Sequence, residues 1–378
     1  MAQRVRTDWT LFFTIVIMVC FGLLMVYSAS SVTADIRFHS VSHFLVRQLG
    51  WAIISFFALM WLKRRDYHRW QSERWAFVPL GIVLILLVVV YFWDWSTHRW
   101  FKMGVASFQP SEFAKPALAI FLAWFVTVRA RAINTKSTVV PAAMALGILA
   151  VAVLAADLGT AVVLVLTAAV VFYVAGLERR YFRIAVAALA VLGCIAVVSK
   201  PYRIARVVGF IPHGYEMLAH IDRSGRIINY LRESKIPDTE YQGLQSRIAL
   251  GSGGALGVGL MQGEQKLFYL PEAHTDFIYA EVGEELGLFG CTAVLAGFLL
   301  LLWRGLRLYW LAPDDFGRYL ALAVTASIVF QALMNMSVVV GLGPTKGIPL
   351  PMISAGGSSL LSTLISCGLL LSVSDRAG

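Results

Sequence analysis

Residues 270–287 read LPEAHTDFIYAEVGEELG, and six ionisable groups crowd the start of a long apolar run: Glu272, His274, Asp276, Glu281, Glu284 and Glu285. A carboxylate at the rim of an apolar region is partly desolvated, which raises its pKa toward working pH, while nearby cations keep it ionised. That combination suits a general base. On a helix Asp276 would share a face with Ala280, Gly283 and Gly287, whose small side chains let a second helix approach. Glu281 and Glu285 would stack one turn apart on another face. Glu272, His274 and Asp276 alternate, so in an extended segment all three could face one ion. No second ligand cluster accompanies them in the sequence, and no dedicated metal site is expected. A purely structural role for the cluster stays open.

Three further places pair polar chemistry with apolar surroundings. In SFQPSEFAKPAL, Glu112 and Lys115 are three apart and can pair across one helical turn after a start at Pro110 and Ser111. The pair is either a self-neutralising surface feature or part of a site under the outer membrane surface. Asp157 in AADLGTA falls in a tight connection, where it either caps a helix or lines a site. GPTKGIPLPMISAGGSSLL (343–361) holds too many prolines and glycines for a continuous helix. Backbone N–H groups at Gly356, Gly357 and Ser358, at a helix start, could receive phosphate oxygens; close helix packing would explain the small residues equally well.

The elements that must position these groups are transmembrane helices. The chain has 378 residues, of which 58% are hydrophobic and 14% charged, and its mean hydropathy is +0.73. That composition excludes a set of soluble domains. Ten apolar segments of spanning character lie at 10–29, 45–62, 75–92, 112–128, 138–156, 158–176, 182–199, 277–303, 316–341 and 353–373. The first is longer than the ~7–15 residues of a cleaved signal and is taken as a span. The expected fold is therefore all-α and polytopic, a single domain over 1–378 with a large extracytoplasmic loop (200–276) between spans seven and eight.

Short basic loops such as KRRDYHRWQSER, VRARAINTK and LERRYFR alternate with short loops poor in lysine and arginine. This asymmetry predicts both termini in the cytoplasm. The net charge of +10 then belongs to cytoplasmic loops, and no nucleic-acid partner is implied. The 200–276 loop carries nine Lys or Arg and eight carboxylates, either a solvated face or a surface for an anionic ligand. Cys20, Cys194, Cys291 and Cys367 all lie inside apolar runs and read as small hydrophobes.

Taken in order, SFQPSEFAK, DLGTA, ALGSGGALGVGL, QKLFYLPEAHTDFIYAEVGEELG and QALMNMSVVVGLGPTKGIPLPMISAGGSSL resemble the SEDS family (shape, elongation, division and sporulation) of bacterial cell-wall polymerases. QKLFYLPEAHTDFI and PTKGIPLP are closer to its division-type branch. Ala156, Met352, Ala355 and Glu281 depart from the family pattern, and Glu281 stands where an apolar residue is usual.

The resemblance implies glycosyl transfer on lipid II, a disaccharide-pentapeptide carried on undecaprenyl diphosphate. Asp276 matches the family's essential aspartate and would act as general base. Glu112, Lys115, Asp157, Lys266, His274, Thr275, Lys346, Gly357 and Ser358 are the expected substrate-binding residues, with Lys266, Lys346 and the glycine-serine turn facing leaving-group charge. No resident cofactor is implied, although a divalent cation could share that task. The implied partners are a class B penicillin-binding protein transpeptidase and other division proteins, and the implied location is the bacterial cytoplasmic membrane. A lipid II transporter and a division scaffold are the competing readings; charges gathered at the outer rim rather than the midplane favour chemistry over transport.

Overall fold

Helices satisfy every backbone polar group within the segment, as a hydrocarbon environment demands. The computed structural model describes residues 7–94, 97–103, 106–198, 239–344 and 347–377, together with positions 204, 207, 208, 210, 211 and 217. Lys346, and Arg203, Arg206, Arg223 and Arg226 of the expected loop, lie outside the described residues. The helices are α1 (Trp9–Phe38), α2 (His43–Arg64), α3 (Glu73–Trp93), α4 (Pro110–Arg129), α5 (Lys136–Ala156), α6 (Leu158–Val174), α7 (Arg179–Val198), α8 (Thr239–Gly253), α9 (Ile278–Leu311), α10 (Asp315–Val339) and α11 (Gly357–Ser374). Among the described residues eight are long and apolar enough to span a membrane. The 17-residue α6 and the 20-residue α7 fall on the remaining two expected segments.

Helix ends follow local chemistry. Asp8 caps α1 by accepting from Leu11 N at 3.0 Å, and Asp314 caps α10 by accepting from Gly317 N at 2.9 Å. Pro110 opens α4, where its missing N–H costs nothing. Between α3 and α4 a small antiparallel hairpin, β1 (Phe101–Met103) with β2 (Ala106–Phe108), pairs Phe101 with Phe108 and Lys102 with Ser107.

Part of the expected outer loop is structured. The segment TEYQGLQSRIALGSG forms α8, too polar and too short to read as a span, and it packs against α9. Its last residue, Gly253, faces the backbone of Gly283 and Glu284 so closely that no side chain would fit. The following turn enters a break in α9 at Gly287, whose φ of 63° and ψ of −157° are not helical. The break frees carbonyls that must find donors. Glu284 O accepts from Val258 N at 3.0 Å, Glu285 O accepts from Gly259 N at 3.0 Å, and Leu288 N donates to Gly254 O at 3.0 Å. Gly283 and Gly287 thus admit a neighbour, as their size implied, and that neighbour is α8 with its trailing turn. Asp276 itself precedes the helix, because α9 begins only at Ile278, so it does not share the helical face expected for it.

The most enclosed helices are α10 and α11, with α4 beside them. Helix α11 is rich in serine, and the small side chains let it press against α2: Gly368 lies against the backbone of Leu59. Its hydroxyls turn inward, as when Ser362 Oγ donates to Glu112 O at 2.6 Å. The start of α1 and the end of α11 meet at one end of the bundle. Asp8 N donates to Ser374 Oγ at 3.2 Å, Arg304 pairs with Asp8 at 2.5 Å, and Lys63 pairs with Asp375 at 3.0 Å. The site lies at the opposite end, where α4, α6, α9 and α11 begin and α5 and α10 finish.

Candidate active site

Two loops that flank helices build the site: residues 267–277 ahead of α9, and 347–356 ahead of α11. They are stitched together through side chains of the core. Ser354 Oγ donates to Thr275 O at 2.6 Å and accepts from Leu350 N at 2.8 Å. Ala355 N donates to His274 O at 3.0 Å. From α10, Asn335 Nδ2 donates both to Asp276 O and to Ile348 O, each at 2.7 Å. One buried amide therefore fixes the peptide that carries Asp276 against the neighbouring loop. Asn335 Oδ1 is buried with no hydrogen-bond partner among the described residues.

The carboxylate of Asp276 faces Gly347 at close range: a methyl group there would lie 2.6 Å from Asp276 Oδ2. The next residue, Ile348, packs against Gly159 in the turn of Asp157, which joins α5 to α6. Asp157 Oδ1 accepts from Gly159 N at 2.9 Å and its Oδ2 from Thr160 Oγ1 at 2.8 Å. Asp157 does cap a helix, and it also faces a cation: Arg99 Nη2 lies 3.0 Å from Asp157 Oδ2. Burial alone would depress the Arg99 pKa. The carboxylates of Asp157, Asp276 and Glu112 more than offset this and leave it raised.

Glu112 and Lys115 pair at 2.7 Å. They are only 1% and 5% exposed, so the pair is internal and the surface reading is excluded. Lys115 also donates to Gln331 Oε1, and Gln331 Nε2 in turn donates to Pro349 O at 2.8 Å. A polar chain thus runs from α4 through α10 to the 347–356 loop. The ring of His274 packs on Phe44 at 4.8 Å. Burial lowers its pKa, Glu272 opposes that and Arg37 adds to it, and the net shift is downward. Thr275 Oγ1 donates to Glu272 Oε2 at 2.8 Å.

Of the remaining expected residues, Lys266 stands apart from this cluster. Lys266 Nζ lies 2.5 Å from Glu285 Oε1 and 3.3 Å from Ser28 Oγ, buried in a second polar pocket. In that pocket Glu284 accepts from Glu264 N at 2.9 Å, while neither carboxylate oxygen of Glu281 has a hydrogen-bond partner among the described residues. At the start of α11, Gly356 N donates to Gln48 Oε1 at 3.1 Å. Gly357 lies directly under the Trp51 indole, and Ser358 is buried. Of these three N–H groups, that of Gly356 is already engaged, and Gly356 and Gly357 are half-buried. Lys346 lies outside the described residues. Among the described residues no group of three His, Cys, Asp or Glu side chains is arranged to hold a metal ion.

Arg99, Gln331, Asn335 and Ser354 are the site residues that the sequence reading missed. Gln331 and Asn335 carried a usable signal: two amides at i and i+4 inside an apolar helix must face protein. Arg99 is a lone charge in a short loop, and nothing local marks its partner.

The arrangement is an acid beside a paired arginine at a membrane-protein rim, and comparisons identify the architecture. The chain matches the sequence profile of the FtsW, RodA and SpoVE group, described as "Cell cycle protein", over residues 8–377. It is 38% identical to the probable peptidoglycan glycosyltransferase FtsW of Geobacter sulfurreducens, covering 98% of this chain and 96% of that one. It is 37% identical to the stage V sporulation protein E of Bacillus subtilis, covering 98% of both. Among solved structures, a chain of a peptidoglycan synthase complex that coordinates polymerization and crosslinking superposes with a TM-score of 0.74. It shows 27% identity over 98% of this chain and 99% of that one. The rod shape determining protein RodA of Thermus thermophilus superposes with a TM-score of 0.69, at 25% identity over 98% of both chains. The chain belongs to the cell cycle protein family that comprises FtsW, RodA and SpoVE.

Proposed function

We propose that this integral membrane protein polymerises peptidoglycan glycan chains from lipid II during cell division, with Asp276 as general base. The observation that carries the reading is the placement of the Asp276 carboxylate. It stands at the end of the bundle away from the chain termini, fixed by Asn335 through its main chain, with the Gly347–Ile348 dipeptide between it and the turn that carries the Asp157–Arg99 pair. In the reaction the 4-hydroxyl oxygen of the acceptor sugar attacks the anomeric carbon of the growing chain. The bond from that carbon to the diphosphate breaks, Asp276 takes the hydroxyl proton, and the configuration inverts. His274 and Thr275 line the approach, and Glu112 with Lys115 holds the 347–356 loop through Gln331. Lys266 has no part in this reading, because Glu285 and Ser28 already occupy its ammonium.

The basic segment that follows α2 lies at the end where the termini meet, so we place both termini in the cytoplasm. A membrane-anchored class B penicillin-binding protein is the proposed partner, by analogy with the synthase complex whose chain this one resembles. The test is polymerisation of lipid II by purified protein, with and without that partner. Wild-type protein should give a ladder of glycan products and Asp276→Asn should give none; undiminished polymerisation by that variant would end the base assignment.

A further inference from the structure

A general base works only while ionised, so what sets the charge of Asp276 matters as much as its position. The charged groups around it come from several elements. Arg99 precedes β1, Asp157 joins α5 to α6, Glu112 and Lys115 open α4, and Glu272 and His274 share its own turn. Helix α10 contributes only the neutral amides of Gln331 and Asn335. Lys115 is held between Glu112 and Gln331, and burial lowers the pKa of His274. Arg99 is differently placed. Its Nη2 is bound to Asp157 at 3.0 Å, while its Nε is buried with no hydrogen-bond partner among the described residues. Asp276 and Asp157 flank one dipeptide: Asp276 abuts Gly347, and Gly159, capped by Asp157, abuts Ile348.

We propose that Arg99 is a positioning residue for glycosyl transfer: it holds Asp276 ionised, while Asp157 orients the guanidinium and offsets part of its field. The inference rests on Asp276 as the base and names the groups that tune it. The two neighbours act in opposite directions. Removing the positive charge of Arg99 makes Asp276 harder to ionise, so the acid limb of activity moves to higher pH. Removing the negative charge of Asp157 leaves the guanidinium uncompensated, so the limb moves to lower pH. An effect on packing alone would lower the rate at every pH without moving the limb.

The experiment is the pH dependence of lipid II polymerisation by the full-length chain in detergent. Arg99→Gln, Arg99→Lys and Asp157→Asn are compared with wild type after each is shown to be monodisperse. Arg99→Gln should raise the acid limb by about one pH unit, a roughly tenfold loss of rate on its lower slope. Asp157→Asn, which can still cap α6 through its amide oxygen, should lower the limb. Arg99→Lys keeps the charge and should leave the limb near its wild-type position. A limb that stays in place in Arg99→Gln, or moves the same way in Arg99→Gln and Asp157→Asn, overturns the proposal. If Arg99→Gln does not fold, the direction of the Asp157→Asn limb decides alone: downward supports the proposal, unmoved or upward overturns it. Activity that survives Asp276→Asn is a different failure, removing the base and this inference with it.

Discussion

Gly347→Ala separates the position of the catalytic carboxylate from the stability of the fold. The added methyl group would sit 2.6 Å from Asp276 Oδ2, whereas ordinary contact begins at 3.4 Å, so something must yield by the difference of about 0.8 Å. The atom in the way is the tip of a side chain, not backbone, and a carboxylate can swing aside at little energetic cost. Gly347 does not have the left-handed backbone that would strain an alanine. Stability should therefore change by less than about 1 kcal/mol, with the reduced freedom of the unfolded chain partly offsetting the crowding. Activity should respond quite differently. A displacement of about 1 Å at a reacting group can cost as much as ~100-fold in rate, so a roughly 10- to 100-fold loss of polymerisation is expected. The control is Gly343→Ala, where the new methyl would meet Val338 Cγ2 at 3.8 Å, an ordinary contact. Initial rates of glycan formation from lipid II, with size-exclusion and thermal-unfolding profiles of each variant, make the comparison. Wild-type rates from folded Gly347→Ala would refute the reasoning. Equal losses in both variants would mean that the loop, not the carboxylate, had been disturbed.

The buried ion pair on α4 gives a second expectation. Glu112→Gln leaves the Lys115 ammonium enclosed without its anion and should cost about 3–5 kcal/mol, read as a large drop in unfolding temperature. Combining Glu112→Gln with Lys115→Met removes both charges and should recover much of that loss. Gly287→Ala tests the break in α9. Its φ of 63° disfavours any side chain, and the methyl would run into the backbone of Ala255 and Gly257. Folded yield should collapse, whereas Gly50→Ala, with nothing within 4 Å, should purify as wild type.

The transmembrane framework was legible because each span states its own requirement: some twenty apolar residues satisfy the bilayer whatever their neighbours are. The expected segments 45–62 and 75–92 thus fall inside α2 and α3. Helix α8 was not legible on that principle. Its sequence satisfies no bilayer by itself, and it is helical because Gly253 and the turn after it fit the opening in α9. The same opening explains why Gly287 was read as a packing glycine. Sequence shows that the residue is small, but not that the chain must pass through a left-handed conformation there.

The site divides along the same line. Asp276, Glu112, Lys115 and Asp157 announce themselves, since an ionisable group beside an apolar run carries a cost that invites a reason. What each one faces is set by which helix ends meet, and that depends on the whole bundle. Arg99 and Asp157 are separated by the hairpin and two helices, and no local pattern joins them. Lys266 illustrates the converse. Near Asp276 in sequence, it turns to Glu285 and Ser28, because the carboxylates on the first turns of α9 lie buried and need a cation more closely than an outer ligand does. The family resemblance made Lys266 a candidate for leaving-group charge and gave Arg99 no part in the site. Three-dimensional charge balance reverses that order, and the opposite pH displacements expected of Arg99→Gln and Asp157→Asn are its measurable consequence.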